Sequence, residues 1–202
     1  MLLAIDTSAG TSVAVVDAQA RVLAERSTDD PRGHAEAIGV LIRDALAAAG
    51  VDVRDLDAVA AGMGPGPFTG LRVGIAAARA FAVGAGLPVL PVLSHDAIAR
   101  GLAAPAIVAT DARRREFFVS AYDGLDEVGL PIRVDGPRIV AAADLEDSAD
   151  RTIVRAATVS AGNLGAVAAV QRAAGRAFAA DAAVYLRSPD VTLSAGPKRV
   201  TS

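Results

Sequence analysis

Apolar and polar positions change their period along this chain, and the changes mark its elements. Three short runs open it. "LLAID" (Leu2–Asp6) is apolar until Asp6, "TSVAVVD" (Thr11–Asp17) is rich in valine, and "RVLAERS" (Arg21–Ser27) alternates, with Val22 and Ala24 on one face. Turn residues at Ser8–Gly10 and Ala18–Ala20 separate them. Runs this short, joined this tightly, predict a three-stranded meander. From His34 the period lengthens: Ile38, Leu41, Ile42, Ala45, Leu46 and Ala49 recur at helical spacing. Gly50 is the stop. Asp57–Met63 reads as a buried strand and Gly70–Ala85 as a second helix, with Thr69 as its N-cap. Leu87–Val92 closes this half as an apolar strand, so its order is βββαβαβ.

From Ser94 the pattern partly recurs. A helix is expected over Ser94–Leu102, then strands at Ala106–Thr110, Glu116–Tyr122 and near Ile132–Val134. A helical turn near Ala141–Leu145, a strand at Thr152–Ala156 and a helix at Leu164–Ala174 follow. The second half is a degenerate echo of the first. No low-complexity linker divides them, and the expected subdomains are residues 1–93 and 94–202, packed together. Two halves, each a meander followed by α/β units, predict an α/β protein of the duplicated ribonuclease H-like class, shared by actin, Hsp70 chaperones and sugar kinases. In that architecture a nucleotide lies between the halves, with its phosphates held by hairpin turns.

Composition narrows the chemistry. Apolar residues make up 52% and aromatics 3%, so the core must be built from Ala, Val, Leu and Ile. Net charge is −3, which leaves out the general basic footprint of an autonomous nucleic-acid binder, though not a shared surface in a complex. There is no cysteine, which excludes thiol catalysis, disulfides and zinc ribbons. His34 and His95, the two histidines, stand far apart, so no metal site is expected. The N-terminal run is cut by Asp6 and has no basic leader, and "AAARAFAVGAG" is too short for a membrane span and carries Arg79. A cytoplasmic protein without membrane contact is expected.

Four stretches are candidates for function. Asp6, Thr7 and Ser8 end the first strand; they suit a phosphate and Mg²⁺ turn, or a turn whose side chains bond their own backbone. "GMGPGPFTGLR" (Gly62–Arg72) looks like an anion cradle before a helix. It has no lysine, and Pro65 and Pro67 remove two N–H donors, so Gly64, Pro65, Gly66 and Thr69 read as a rigid structural connection rather than a P-loop. The helix that follows carries Gly70, Gly74 and Ala78 on one stripe, with Ala77 and Phe81 beside it. A stripe without bulk admits another helix, either of the same domain or of a partner. "TDARRREFF" (Thr110–Phe118) turns through Arg113–Arg115, which suits nucleotide or tRNA phosphates, or a solvated hairpin tip; the tip is the simpler reading. "RSPD" (Arg187–Asp190) and the residues after it are polar. No carboxylate pair or Ser–His–Asp set emerges, which points to a protein that acts with another.

Five segments occur in order: "MLLAIDTSAGTSVAVVD", "HAEAIGVLI", "GMGPGPFTGLRVGIAAARAFA", "TDARRREFFVSAYD" and "VYLRSP". Together they resemble the bacterial TsaB (YeaZ) family of the threonylcarbamoyladenosine pathway, and Gly64–Gly74 is the most specific block. The resemblance implies two ribonuclease H-like subdomains and a non-catalytic subunit. It implies pairing with a TsaD-type paralogue that holds the metal and transfers the threonylcarbamoyl group to tRNA. It also implies a TsaE-type ATPase partner, self-association as a homodimer, and tRNA contact only through the complex. No cofactor of its own is implied, but ATP or ADP could lie at the interface of the complex. The pairing surface would use His34, Ile38, Leu41, Ile42 and Ala45 of the first helix and Gly70, Leu71, Gly74, Ala77, Ala78 and Phe81 of the second. The runner-up is a stand-alone ATP-binding phosphotransferase or ATPase of the same fold, built on Asp6–Ser8. Pro67 departs from the family's usual serine, and His95–Asp96 from a commoner Ser-Leu type pair. The chain is also short for the family, which the expected trimming of second-half loops would explain.

Overall fold

The protein is described by a computed structural model over residues 1–28, 33–102, 104–145 and 151–187. Two sheets divide the strands. The first contains β1 (Leu2–Asp6), β2 (Thr11–Val16), β3 (Val22–Thr28), β4 (Ala58–Gly62) and β5 (Val89–Val92), in the order β3-β2-β1-β4-β5. The second contains β6 (Ala106–Asp111), β7 (Glu116–Leu125), β8 (Pro131–Ala141) and β9 (Thr152–Ala156), in the order β8-β7-β6-β9. In each, the first strand pairs antiparallel with the second and parallel with the fourth. The second sheet therefore repeats the first four positions of the first, which is the duplicated ribonuclease H-like plan.

The first sheet is apolar on both faces because its strands alternate between two cores. Leu3, Ile5, Val13 and Val15 face α1 (His34–Ala49) and α2 (Phe68–Ala85). Leu2, Ala4, Ala14 and Val16 face α4 (Ala161–Ala173). A strand buried on both sides reads as a continuous apolar run, as "LLAI" and "VAVV" do. Helix α4 belongs to the second half by sequence yet covers the first sheet. A Cβ on Gly165 would sit 2.7 Å from a Val16 methyl and 3.0 Å from the Ala4 methyl, so the helix closes only without that side chain. The second sheet has thinner cores: Val108 and Tyr122 under α3 (Ser94–Ala99), and Ala109 and Val119 under Leu145.

Helix α1 has the expected bounds, and Gly50 caps it at φ 65° with N–H bonds back to Leu46 and Ala47. Helix α2 starts earlier than expected. Pro67, extended at φ −60° and ψ 138°, flanks it, its carbonyl accepts from Leu71 N, and no side chain caps it, so Thr69 is not the N-cap. Proline serves there because the cap residue's own N–H lies outside the helical ladder. Starting at Phe68 gives an 18-residue helix, long and apolar enough by length and composition to cross a membrane. Leu71, Ile75, Ala78 and Ala82 nevertheless pack in the first sheet's core. Strand β8 is longer than expected and takes in the start of the segment read as a helical turn. It passes through Gly136–Pro137, a pair that sequence reading treats as a breaker. Gly136, at φ 84°, lets the Val119 carbonyl approach closely, and the register against β7 shifts there. Helix α4 begins at Ala161 because the Ser160 hydroxyl accepts from Asn163 N.

Candidate functional site

Glycines 62, 66, 70 and 74 recur every fourth position, and each lies against the β1–β2 turn. A Cβ on Gly62 would overlap the Asp6 carboxylate, and one on Gly74 the Thr7 side chain. On Gly66 it would meet the Ser8 backbone at 2.8 Å, and on Gly70 the Thr7 carbonyl at 2.6 Å. The glycine-rich segment is thus shaped to receive Asp6–Ser8. Thr7 Oγ1 donates to the Gly70 carbonyl at 2.7 Å, locking turn to helix.

This geometry corrects two expectations. Asp6 is buried, and it accepts from Ser8 N (2.8 Å), Ser8 Oγ (2.6 Å) and Ser94 Oγ (2.5 Å). Burial pushes its carboxyl up from the usual value, against the pull of those three bonds. Its oxygens are committed to the fold and it does not line the neighbouring cleft, so of the two readings for this turn the structure shows the one in which Asp6 bonds its own backbone rather than the metal-water turn. The second correction concerns the small-residue stripe. Gly70, Leu71, Gly74 and Ala78 are buried against their own turn and sheet, as are Ile38 and Ala45 of α1. They serve the chain's own core because α2 must lie close to Thr7, and they offer no surface to a partner. His34, Leu41, Ile42, Ala77 and Phe81 are half-buried.

The outward faces of these two helices carry other residues. Gly39, Val40, Arg43 and Ala47 point outward on α1, and Arg72, Ala76, Arg79, Ala80, Val83 and Gly84 on α2. Val83 is 83% exposed and Val40 45%. Among the described residues nothing lies within 4 Å of where a Cβ would stand on Gly39 or Gly84. Glycine inside a helix costs roughly 1 kcal/mol relative to alanine, and no contact among the described residues requires either one.

A cleft of about 570 Å³ opens between the halves. Thr7–Gly10 forms one wall, and Gly66–Gly70, at the uncapped start of α2, lies beside it. Opposite stand Asp111–Arg114, with Arg187 and His34 also on the lining. Thr11 Oγ1 and His34 Nδ1 are 2.6 Å apart, which fixes the imidazole at the first wall. Asp111 is the only carboxylate among the described lining residues. Thr7, Ser8, Gly66 and Thr69, read from the sequence as two separate stretches, line one cleft, while Asp6, Gly64 and Pro65 are not on its lining. Arg187 is the described part of "RSPD"; Ser188–Asp190 and the chain beyond lie outside the described residues.

Sequence reading missed the joint behind the cleft. Ser94, His95 and Asp96 are consecutive, and each ties α3 to a different place. Ser94 Oγ bonds Asp6 and accepts from Gly64 N at 3.1 Å. His95 lies between Ser120 Oγ (2.8 Å) and Thr110 Oγ1 (2.9 Å), and burial lowers its pKa to about 3, so the ring is neutral. Asp96 accepts from Tyr122 OH at 2.6 Å, with Arg133 3.6 Å away. Burial raises the Asp96 carboxyl, and burial with the nearby Asp96 charge raises the Tyr122 phenol well above its usual value. The available signal was three polar residues directly after an apolar strand. Among the described residues no three His, Asp or Glu side chains converge on a metal-sized site.

Comparison with known proteins agrees with the fold. The sequence model of TsaD, tRNA N6-adenosine threonylcarbamoyltransferase, matches residues 21–133. An uncharacterised protein of Mycobacterium tuberculosis (strain H37Rv) is 46% identical over 148 residues, 72% of this chain and 67% of that one. The tRNA threonylcarbamoyladenosine biosynthesis protein TsaB of Escherichia coli K12 is 37% identical over 105 residues, 50% of this chain and 45% of that one. The matched part thus spans about half of this TsaB relative. The solved structure of YeaZ from Pseudomonas aeruginosa superposes with a TM-score of 0.76 at 26% identity, covering 92% of this chain and 99% of that one. The chain belongs to the TsaB (YeaZ) family.

Proposed function

We propose that this protein works in tRNA threonylcarbamoyladenosine biosynthesis as a non-catalytic subunit that pairs with and activates a TsaD-type transferase. The observation that carries this reading is the outward face of α1 and α2, with exposed Val40 and Val83 and two helical glycines that nothing among the described residues requires. Bare backbone and small side chains let a partner helix approach closely. The pairing surface is therefore moved from the buried stripe to Gly39, Val40, Arg43, Ala76, Ala80, Val83 and Gly84. The same face serves a homodimer when the paralogue is absent, and a TsaE-type ATPase joins the pair. Residues 1–93 and 94–202 are taken as its two subdomains, the chain as cytoplasmic, and any ATP or ADP as bound in the assembled complex rather than as a resident cofactor.

Reconstitution tests this. Modified adenosine in tRNA is counted with the TsaD-type and TsaE-type partners and the activated threonylcarbamoyl donor, with and without this chain. Modification is expected to depend on the chain, and Val83→Arg is expected to weaken pairing about tenfold. Equal modification without the chain refutes the reading. A stand-alone phosphotransferase draws support from the basic cleft, but its only described carboxylate there is Asp111. ATP turnover by the isolated chain would revive that alternative.

A further inference from the structure

Three arginines in succession adopt left-handed backbone at the tip of the β6–β7 hairpin. Arg113, Arg114 and Arg115 have φ of 62°, 54° and 60°. Residues with a Cβ avoid this region, and a run of three is unusual. The turn is held by Asp111 Oδ1, which accepts from Arg113 N at 3.1 Å, and by Arg115 O, which accepts from Ala142 N at 2.8 Å. Strain held in place this way, on three exposed cations, is a reason to look for a ligand. All three arginines are exposed, and so is Arg155 on β9, which lies over the Phe117 ring at 5.7 Å. Two carboxylates flank the turn, Asp111, which accepts from Arg113 N, and Glu116, which is paired with Arg187; against them stand four exposed arginines, a basic ridge on a chain whose net charge is −3.

We infer that the Arg113–Arg115 turn is a contact for the RNA sugar-phosphate backbone, used when the assembled complex receives its tRNA. The inference rests on the function proposed above. The distribution of charge selects the ligand. Arg113 and Arg114 line the cleft, whereas Arg115 and Arg155 are not among its lining residues. A mononucleotide held in the cleft leaves the outer half of the ridge unused, while an extended polyanion crosses all of it. Guanidinium groups suit phosphate oxygens, and such contacts position RNA without reading its sequence.

The test uses the reconstituted complex and transcribed tRNA. Arg113→Asn with Arg115→Gly removes two charges and supplies residues that accept left-handed backbone, so the hairpin is kept and the melting temperature is expected to rise by about 2–4 °C. The expected result is a KM for tRNA about tenfold higher, an unchanged kcat, and a salt dependence of binding shallower by about two phosphate contacts. Arg26→Gln with Arg54→Gln, an equal charge loss at exposed positions elsewhere, is expected to leave KM unchanged. A wild-type KM and salt slope in the turn variant overturns the inference, as does a loss confined to ATP binding. Failure of the unaltered chain to support modification refutes instead the function on which the inference rests.

Discussion

The β1–β2 turn and the β6–β7 turn hold the same place in the two halves, and they have opposite fates. The first is buried, and Asp6, Thr7 and Ser8 spend their polar atoms on the chain itself. Four glycines make room for it. Among the described residues no such segment closes over the second, which keeps three arginines at the surface in left-handed backbone. A hairpin turn becomes core or contact surface according to what the following segment brings to it. In the first half that segment is "GMGPGPFTGLRVG", which runs from β4 into α2; in the second half the segment after β9 leads into α4, which packs on the first sheet instead.

The sharpest way to break the comparison is to crowd the first turn. Gly74→Leu drives a side chain into Thr7 and is expected to cost about 3 kcal/mol or to prevent folding, read by urea denaturation. Ser94→Ala takes one hydrogen bond from buried Asp6 and another from Gly64 N. A loss of about 2 kcal/mol is expected by the same measurement.

Acid probes the joint between the halves. His95 has a folded pKa of about 3 against 6.5 unfolded, so the unfolded chain takes up the proton first. Its contribution is complete above 6.5 and is lost as pH falls toward 3. Between neutral pH and about pH 5 the loss from this group is about 2 kcal/mol. Asp6 and Asp96 act with the opposite sign: their raised carboxyls protonate first in the folded state and add stability as pH falls from their raised values toward 3.8. His95→Gln is expected to remove the loss and leave the opposing gain, visible as a changed slope of stability against pH. The smallest effect belongs to the second turn: Arg115→Gly should stabilise by about 1 kcal/mol, whereas glycine at position 74 tolerates no replacement.

Much of the fold was legible because strand and helix periods are local properties. The βββαβαβ order, the αL cap at Gly50 and the bounds of α1 and β9 follow from patterns a few residues long. The start of α2 was not, because Thr69 is a good cap by type while Pro67 is a better one by backbone angle. The full length of strand β8 is not legible because Gly136–Pro137 signals a turn, and only the close approach of Val119 explains its place within the strand. The Gly70–Gly74–Ala78 stripe was visible, but sequence cannot say which body lies against it. That body is Thr7, 63 residues from its hydrogen-bonded partner Gly70. The Ser94–His95–Asp96 joint was hidden for the same reason, since its partners lie on strands of both sheets.

The placement of α4 bears on how the chain is made. Leu2, Ala4, Ala14 and Val16 are covered by a helix that is encoded more than a hundred residues after them. Until Ala161–Ala173 has been synthesised, the nascent first half carries one finished apolar face and one naked one. Release of a truncated product would leave that face uncovered, so fragments ending before α4 should sediment with chaperones or aggregate, while the first sheet is completed only once α4 has emerged.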